Sequence, residues 1–260
     1  MDTFPTEHHL PTIMMWHAIQ GGKYIGLDEK TTYYRKEYAK CIDYIIAAGE
    51  DLGQAMWQQC TAVSLNKILP LGMARTDRYI GKIKGSGNTI LKDKRSYLYV
   101  PTFRAHKEPA IPSIDWNWLD EHLSDDELFV VKPHPQGQRL TNGSYEHIIE
   151  TNKMEPSVNY LYDADVIITD YSSIIFDGYL LNKPSVLFEK KTGYPEVRGM
   201  YMKYPFEYSS KYASNEKDLL DILRSTYELT SLEKNVVARI ANKCDGHSCE
   251  RICNLINTLR

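Results

Sequence analysis

Residues 165–188, DVIITDYSSIIFDGYLLNKPSVLF, put chemistry-bearing side chains at the junction of a strand and a helix. Val166, Ile167 and Ile168 form an apolar, β-branched run of the kind that makes a buried strand. Thr169, Asp170, Tyr171, Ser172 and Ser173 follow as a polar turn with helix-capping chemistry. Ile174, Ile175, Gly178, Tyr179, Leu180 and Leu181 read as a helix that Asn182-Lys183-Pro184 stops. Ser185–Phe188 opens the next strand. The turn therefore lies where open α/β sheets bind ligands, and where backbone N–H groups hold phosphates. An ordinary βαβ unit with a capped helix has the same pattern, and the segment lacks a Gly-rich loop. Other strand ends share its polar or cationic character: Trp16-His17, Arg75 and Asp77, Thr102 and Arg104, Lys132 and His134.

Strands must hold these turns in place. Short strands are predicted at 11–17, 41–48, 67–72, 96–104, 128–135, near 157–160, at 166–168 and at 185–188. Helices are predicted over 31–41, from about 51, over 115–123, near 145–150, over 215–228 and over 248–259. Strands of continuous apolar character alternating with helices predict parallel sheets covered by helices. Gly81, Gly85 and Gly87, set among lysines in 80–96, mark a surface linker. The expected division is a small, partial N-terminal Rossmann-like domain, 1–90, and a C-terminal one, 91–260, that includes the terminal helix. The first shows about three strands where a complete unit has about five or six.

Composition narrows the function. The 260 residues carry 25% charged and 42% hydrophobic residues and a net charge of −3, ordinary for a globular chain and without the basic surplus of a nucleic-acid binder. Apolar runs fall short of the ~20 residues of a transmembrane helix, and the first fifteen residues do not read as a signal peptide. Five cysteines, an odd number, predict reduced thiols. Cys244, His247, Cys249 and Cys253 cluster near the C-terminus, but their spacing fits no common structural zinc pattern. Clustered carboxylates are missing as well, so no obligatory metal or other cofactor is expected, with room only for a loosely held Mg²⁺.

Seven segments occur in order over nearly the whole chain: MWHA (15–18), LGMARTD (71–77), YVPTFR (99–104), VKPHP (131–135), ITDYSS (168–173), VRGMY (197–201) and DGHSCER (245–251). In this order the chain resembles the CDP-glycerol glycerophosphotransferase family of teichoic-acid polymerases and primases. It departs from the family at Ala18, at Ala74 and in the loop IQGGKYIG (19–26), and it begins just ahead of the Trp-His segment.

The resemblance implies a GT-B-like fold, with two Rossmann-like domains facing a cleft and the N-terminal one truncated. It implies transfer of a polyol phosphate, glycerol phosphate first, from CDP-glycerol or CDP-ribitol to a lipid-linked saccharide or polyol-phosphate acceptor, with release of CMP. His17 matches the family's first histidine and is expected to act as general base; His134, fixed between two prolines, is the second catalytic candidate, on the pyrophosphate or leaving CMP. Thr169, Ser172, Ser173, Arg104, Lys132 and Arg251 are the candidate phosphate ligands, with Asp170, Arg75 and Asp77 in support. The implied location is cytoplasmic, with peripheral contact at the inner membrane face. A nucleotide-sugar glycosyltransferase or epimerase on the same fold is the competing enzyme reading. A donor-binding fragment that self-associates or awaits a missing N-terminal partner is the non-catalytic one.

Overall fold

The structure is a computed structural model that describes residues 10–23, 40–78, 80, 91, 93–104, 110–111, 113–190 and 199–259. Most of the expected helix over 31–41, most of the linker, and Val197 and Arg198 lie outside these residues. The chain divides into two compact units, one formed by 1–83, 198–202 and 235–260, the other by 84–197 and 203–234. The division departs from the expected 91–260 domain at the C-terminus, because the last helix groups with the first unit.

In the first unit, β1 (Ile13–Met14), β2 (Tyr44–Ala47) and β3 (Ile68–Pro70) form a parallel sheet in the order β1-β2-β3. Helix α1 (Leu52–Thr61) crosses between β2 and β3. Ile45, Ala47, Trp57, Cys60 and Ile68 make the core, and Trp16 packs on it.

The second unit holds a six-stranded parallel sheet: β4 (Arg95–Tyr99), β5 (Glu127–Val131), β6 (Ile148–Glu150), β7 (Val166–Thr169), β8 (Ser185–Phe188) and β9 (Tyr212–Ala213). Their spatial order is β6-β5-β4-β7-β8-β9. Counted from β4, that order is 3-2-1-4-5-6, the doubly wound dinucleotide-binding topology, with its switch point between β4 and β7. The strands are mostly apolar, with polar residues at their ends, because helices cover both faces. Successive side chains alternate between faces. Tyr97 and Tyr99 thus join one core with Phe129, Ile168 and Phe188, under α2 (Trp116–His122) and α5 (Glu216–Ser225). Leu98 and Val100 join the other with Val130 and Ile167, under α3 (Val158–Leu161). Helix α4 (Ile174–Leu180) packs so closely on β7 that a Cβ at Gly178 would sit 2.2 Å from Ile167 Cδ1.

Two expected elements exchange type. The helix expected near 145–150 is strand β6, and the strand expected near 157–160 is helix α3. Strand β6 is only three residues long, and Glu150 turns back to accept from the Leu140 and Thr141 amides at 3.0 and 2.6 Å. Helix α3 is a single four-residue turn, too short for a 3.6-residue period to show. Helix α6 (Ser231–Ala241) was not anticipated. Its start is a capping box: Glu233 accepts from the Thr230 amide at 2.8 Å, and Thr230 Oγ1 accepts from the Glu233 amide at 3.3 Å. Helix α7 (Ser248–Thr258) closes the chain.

Candidate functional site

In the second unit, the turns after β4, β7 and β5 share one edge of the sheet, because the three strands are adjacent and parallel. Asp170, fully buried in the turn after β7, ties two of these turns together. Its Oδ1 accepts from the Thr102 amide at 2.8 Å and from the Tyr171 amide at 2.6 Å. Its Oδ2 pairs with Arg104 Nη2 at 2.5 Å, with the Arg104 side chain only 7% exposed. Arg104 also donates from Nη1 to the Thr102 carbonyl at 2.9 Å and lies over the Tyr171 ring at 5.4 Å. An ion pair thus spans the switch point between β4 and β7, and Arg104 enters the site neutralised by a carboxylate.

Ser172 and Ser173 are half-buried beside this pair. Among the described residues the one hydrogen bond to either side chain is long, from the Ile174 amide to Ser172 Oγ at 3.4 Å, and Ser173 precedes α4 without capping it. Among the described residues the Ser172 and Ser173 amides have no protein acceptor. Two N–H groups and two hydroxyls in one turn are donors of the kind that anions accept from.

His134 is exposed in the turn after β5. Its ring stacks on Phe103, from the Arg104 turn, at a centroid distance of 5.1 Å. The Gln136 amide lies 3.2 Å from Nδ1, which accepts from it. In the neutral ring that bond places the proton on Nε2, which is then a donor.

Three expected phosphate ligands are engaged elsewhere. Thr169 is fully buried, and its hydroxyl donates to the Val100 carbonyl at 2.6 Å. Lys132 is 1% exposed and donates to the Pro133 and Lys153 carbonyls at 2.7 and 3.0 Å. Burial lowers its pKa, against an opposing pull from Glu155. Arg251 belongs to the first unit. It donates to the Leu71 carbonyl at 2.9 Å and the Lys243 carbonyl, and grips both oxygens of Asp245 at 3.0 and 2.8 Å. The Arg251 guanidinium in turn holds the Asp245 carboxyl down at about 2. In this structure the Thr169 hydroxyl, two of the three Lys132 N–H groups and four of the five Arg251 N–H groups are directed to acceptors inside the fold.

In the first unit, His17 is exposed three residues beyond β1, its ring tilted against Trp16 at 4.6 Å. Trp16 meets Trp57 edge-on at 5.7 Å, which anchors the segment to the core. Arg75 and Asp77 lie in a 3₁₀ turn, Ala74–Arg78. Asp77 accepts from the Cys249 amide at 2.6 Å and so caps helix α7. Burial pushes the Asp77 carboxyl up, but the Cys249 and Ser248 amides and side chains outweigh it and hold it below its usual value.

Among the described residues, the His, Cys and carboxylate group compact enough for a metal ion is Asp125, Glu146 and His147. It precedes β5 and β6, on the opposite edge of the sheet from the turns above. Cys244, His247, Cys249 and Cys253 do not form such a group; the Cys244 thiol is buried against the Ala48 carbonyl. A polar cavity of about 540 Å³ also opens at that opposite edge, lined by Asp93, Arg95 and Asp165 among others. Its polar groups serve the fold: Asp165 accepts from the Ser96 amide at 2.8 Å, and Arg95 donates to the Leu223 and Thr226 carbonyls at 2.9 and 2.7 Å.

The sequence singled out neither Phe103, which stacks on the His134 ring, nor Gln136, which donates to its Nδ1. Phe103 was visible within YVPTFR, but an aromatic residue at a strand end gives no sign of what it stacks on.

A parallel sheet of doubly wound order with polar turns at its switch point places the chain in the class of doubly wound α/β proteins, which bind ligands at that edge. The family model for CDP-Glycerol:Poly(glycerophosphate) glycerophosphotransferase matches residues 1–258, and the chain belongs to that family of transferases. The chain is 26% identical over 265 residues to the teichoic acid glycerol-phosphate primase of Bacillus subtilis (strain 168), covering 95% of this chain and 68% of the relative. It is 24% identical over 266 residues to the teichoic acid poly(ribitol-phosphate) polymerase of Bacillus spizizenii (strain ATCC 23059 / NRRL B-14472 / W23), covering 94% of this chain and 42% of the relative. Among solved structures, the wall teichoic acid polymerase TagF has the same fold, with a TM-score of 0.76 at 21% identity, covering 98% of this chain and 69% of that one. A UDP co-structure of S. aureus MnaA is a more distant likeness, with a TM-score of 0.54 at 18% identity, covering 92% of this chain and 67% of that one. No helix among the described residues is long and apolar enough to cross a membrane.

Proposed function

We propose that the chain transfers a polyol phosphate, glycerol phosphate by preference, from a CDP-polyol to a hydroxyl of a teichoic-acid acceptor. The acceptor oxygen attacks the β-phosphorus, the bond to the bridging oxygen breaks, and that oxygen leaves with CMP. The acceptor's proton passes to His17, an imidazole suited to proton removal near neutral pH. Charge that develops on the phosphoryl oxygens meets the Ser172 and Ser173 amides and hydroxyls and the Nε2–H of His134. Asp170 and Arg104 hold the turn that carries the serines to the turn after β4, whose Phe103 stacks on His134.

The carrying observation is the donor-rich Ser172-Ser173 turn at the switch point, two strands from the His134 turn on the same edge. Family membership supports the choice of a CDP-polyol. A solved TagF variant was soaked with CDPG, which supports glycerol first. A lipid-linked acceptor, and therefore peripheral contact with the inner membrane face, follows from the same reading. The likeness to the UDP co-structure makes a UDP-sugar the competing donor.

CMP release from CDP-glycerol, CDP-ribitol and a UDP-sugar, with and without a lipid-linked glycerol-phosphate acceptor, tests the proposal. Acceptor-dependent release from a CDP-polyol is expected. Ser172→Ala with Ser173→Ala weakens CDP-glycerol binding about tenfold or more in calorimetry while the fold persists, and His17→Ala abolishes turnover but spares donor binding. Unchanged donor affinity removes the serines from the site; surviving turnover makes His17 structural.

A further inference from the structure

Lys132 follows the last residue of β5 and continues its ladder, its amide donating to the Tyr99 carbonyl at 2.8 Å. The side chain is 1% exposed, and its ammonium reaches the carbonyls of Pro133 and Lys153. A second lysine closes the same turn from outside, Lys153 Nζ donating to the Gly137 carbonyl at 3.1 Å. Between these two fastenings, the Gly137 amide donates to the His134 carbonyl at 2.8 Å, and the Gln136 amide to His134 Nδ1 at 3.2 Å. The turn 133–137 is thus bound on both sides to residues 151–153, beyond the end of β6.

A buried ammonium is a costly way to join two loops. An apolar side chain of similar length would avoid the desolvation cost. What an ammonium adds is direction: Nζ binds the carbonyl of the residue just before His134 and that of Lys153 on the neighbouring loop. It therefore fixes the peptide unit from which the His134 backbone departs. Phe103 then limits the ring's tilt, and Gln136 its tautomer.

We infer that Lys132 is a positioning residue for His134, holding the 133–137 turn so that the imidazole presents Nε2–H along the switch-point edge. The inference rests on the assignment of His134 to phosphate transfer. Lys132 itself touches no substrate.

The test uses the full chain, with Lys132→Met alone, His134→Ala alone, and the two combined. Lys132→Met lowers kcat for CMP release about tenfold or more and changes KM for CDP-glycerol far less. In the His134→Ala background the same substitution changes kcat by less than about twofold, because its effect passes through the imidazole. Equal losses in both backgrounds overturn the inference. A second readout is independent of activity. Ring ¹⁵N spectra show His134 as the Nε2–H tautomer in the parent and as a mixture in Lys132→Met; identical spectra overturn the inference. If Lys132→Met does not fold, the exposed Lys153→Ala takes its place, with a smaller kcat loss and the same non-additivity expected. If the parent chain releases no CMP, the transferase reading fails, and the ring spectra alone decide the positioning role.

Discussion

Asp170 governs the candidate site more than any of the groups expected to bind phosphate. It accepts three hydrogen bonds from two turns, and the charge it buries is balanced by Arg104. Asp170→Asn keeps the shape but leaves the Arg104 guanidinium, 7% exposed, without its counter-charge. Removing one partner of a buried pair costs about 3–5 kcal/mol. Urea unfolding of the variant therefore gives a lower midpoint at unchanged slope. Arg104→Met in the Asp170→Asn background recovers part of the loss, because the orphaned charge is gone; a double variant weaker than the single one contradicts the pairing argument. Residue types at strand ends were legible in the sequence, and Ser172, Ser173 and His134 do share one sheet edge. The partner each cation would choose was not legible. Lys132, Arg104 and Arg251 look alike as phosphate ligands in a motif, yet each is turned inward by carbonyls or a carboxylate supplied from elsewhere in the chain.

At the scale of elements, what could be read depended on length. The strands 166–169 and 185–188 and helix α5 were legible because three consecutive apolar residues, or three leucines and an isoleucine gathered on one side of a ten-residue helix, are a strong signal. Elements of two to four residues, β6, β9 and α3, carry too few positions to show a period. Their type is set by tertiary pairing, β6 with β5 and β9 with β8. Side chains then lock elements together. Glu127, at the start of β5, is 3% exposed and accepts from Arg224 of α5 at 3.0 and 2.6 Å and from Tyr97 of β4 at 2.6 Å. Burial alone would raise its pKa, but Arg224, Tyr97 and Ser124 bring it down to about 2. A depressed acid stabilises the fold fully above its unfolded value of 4.5 and loses that contribution as pH falls toward about 2. Urea unfolding of the parent chain is therefore expected to weaken between pH 4.5 and 2 more steeply than that of Glu127→Gln, by up to one proton's slope. Parallel pH curves would show that the carboxylate is no better held in the fold than in the unfolded chain.

At the scale of the whole molecule, the alternation of strands and helices foretold parallel sheets, but not which unit would own the C-terminus. No local pattern says that residues 235–260 return to the first unit. Val236, Ile240, Ala241 and Ile252 are buried, and backbone approaches and single polar links add to that burial. A Cβ at Gly72 would lie 2.2 Å from the Lys243 carbonyl, with φ already at +84°. Asp51 pairs with Arg239 at 2.9 Å, and Asp77 caps α7. Arg251 completes the set by joining the turn after β3 to the 243–245 turn. These links hold only the first unit, and the core of the second sheet is built without them. Arg251→Leu should therefore act on one unit alone. Three carbonyl and carboxylate partners lose their donor, at about 1–3 kcal/mol for each group left buried and unsatisfied. Native-state hydrogen exchange is expected to quicken at Tyr44–Ala47 and at Ile68 and Leu69, while Tyr97–Tyr99, Glu127–Val131 and Val166–Thr169 keep their protection. If protection falls equally in both sheets, the chain unfolds as one cooperative body and the terminal helix supports all of it. If only the first sheet loosens, the C-terminal return of the chain stabilises the unit that carries His17 and leaves the proposed donor-binding turns intact.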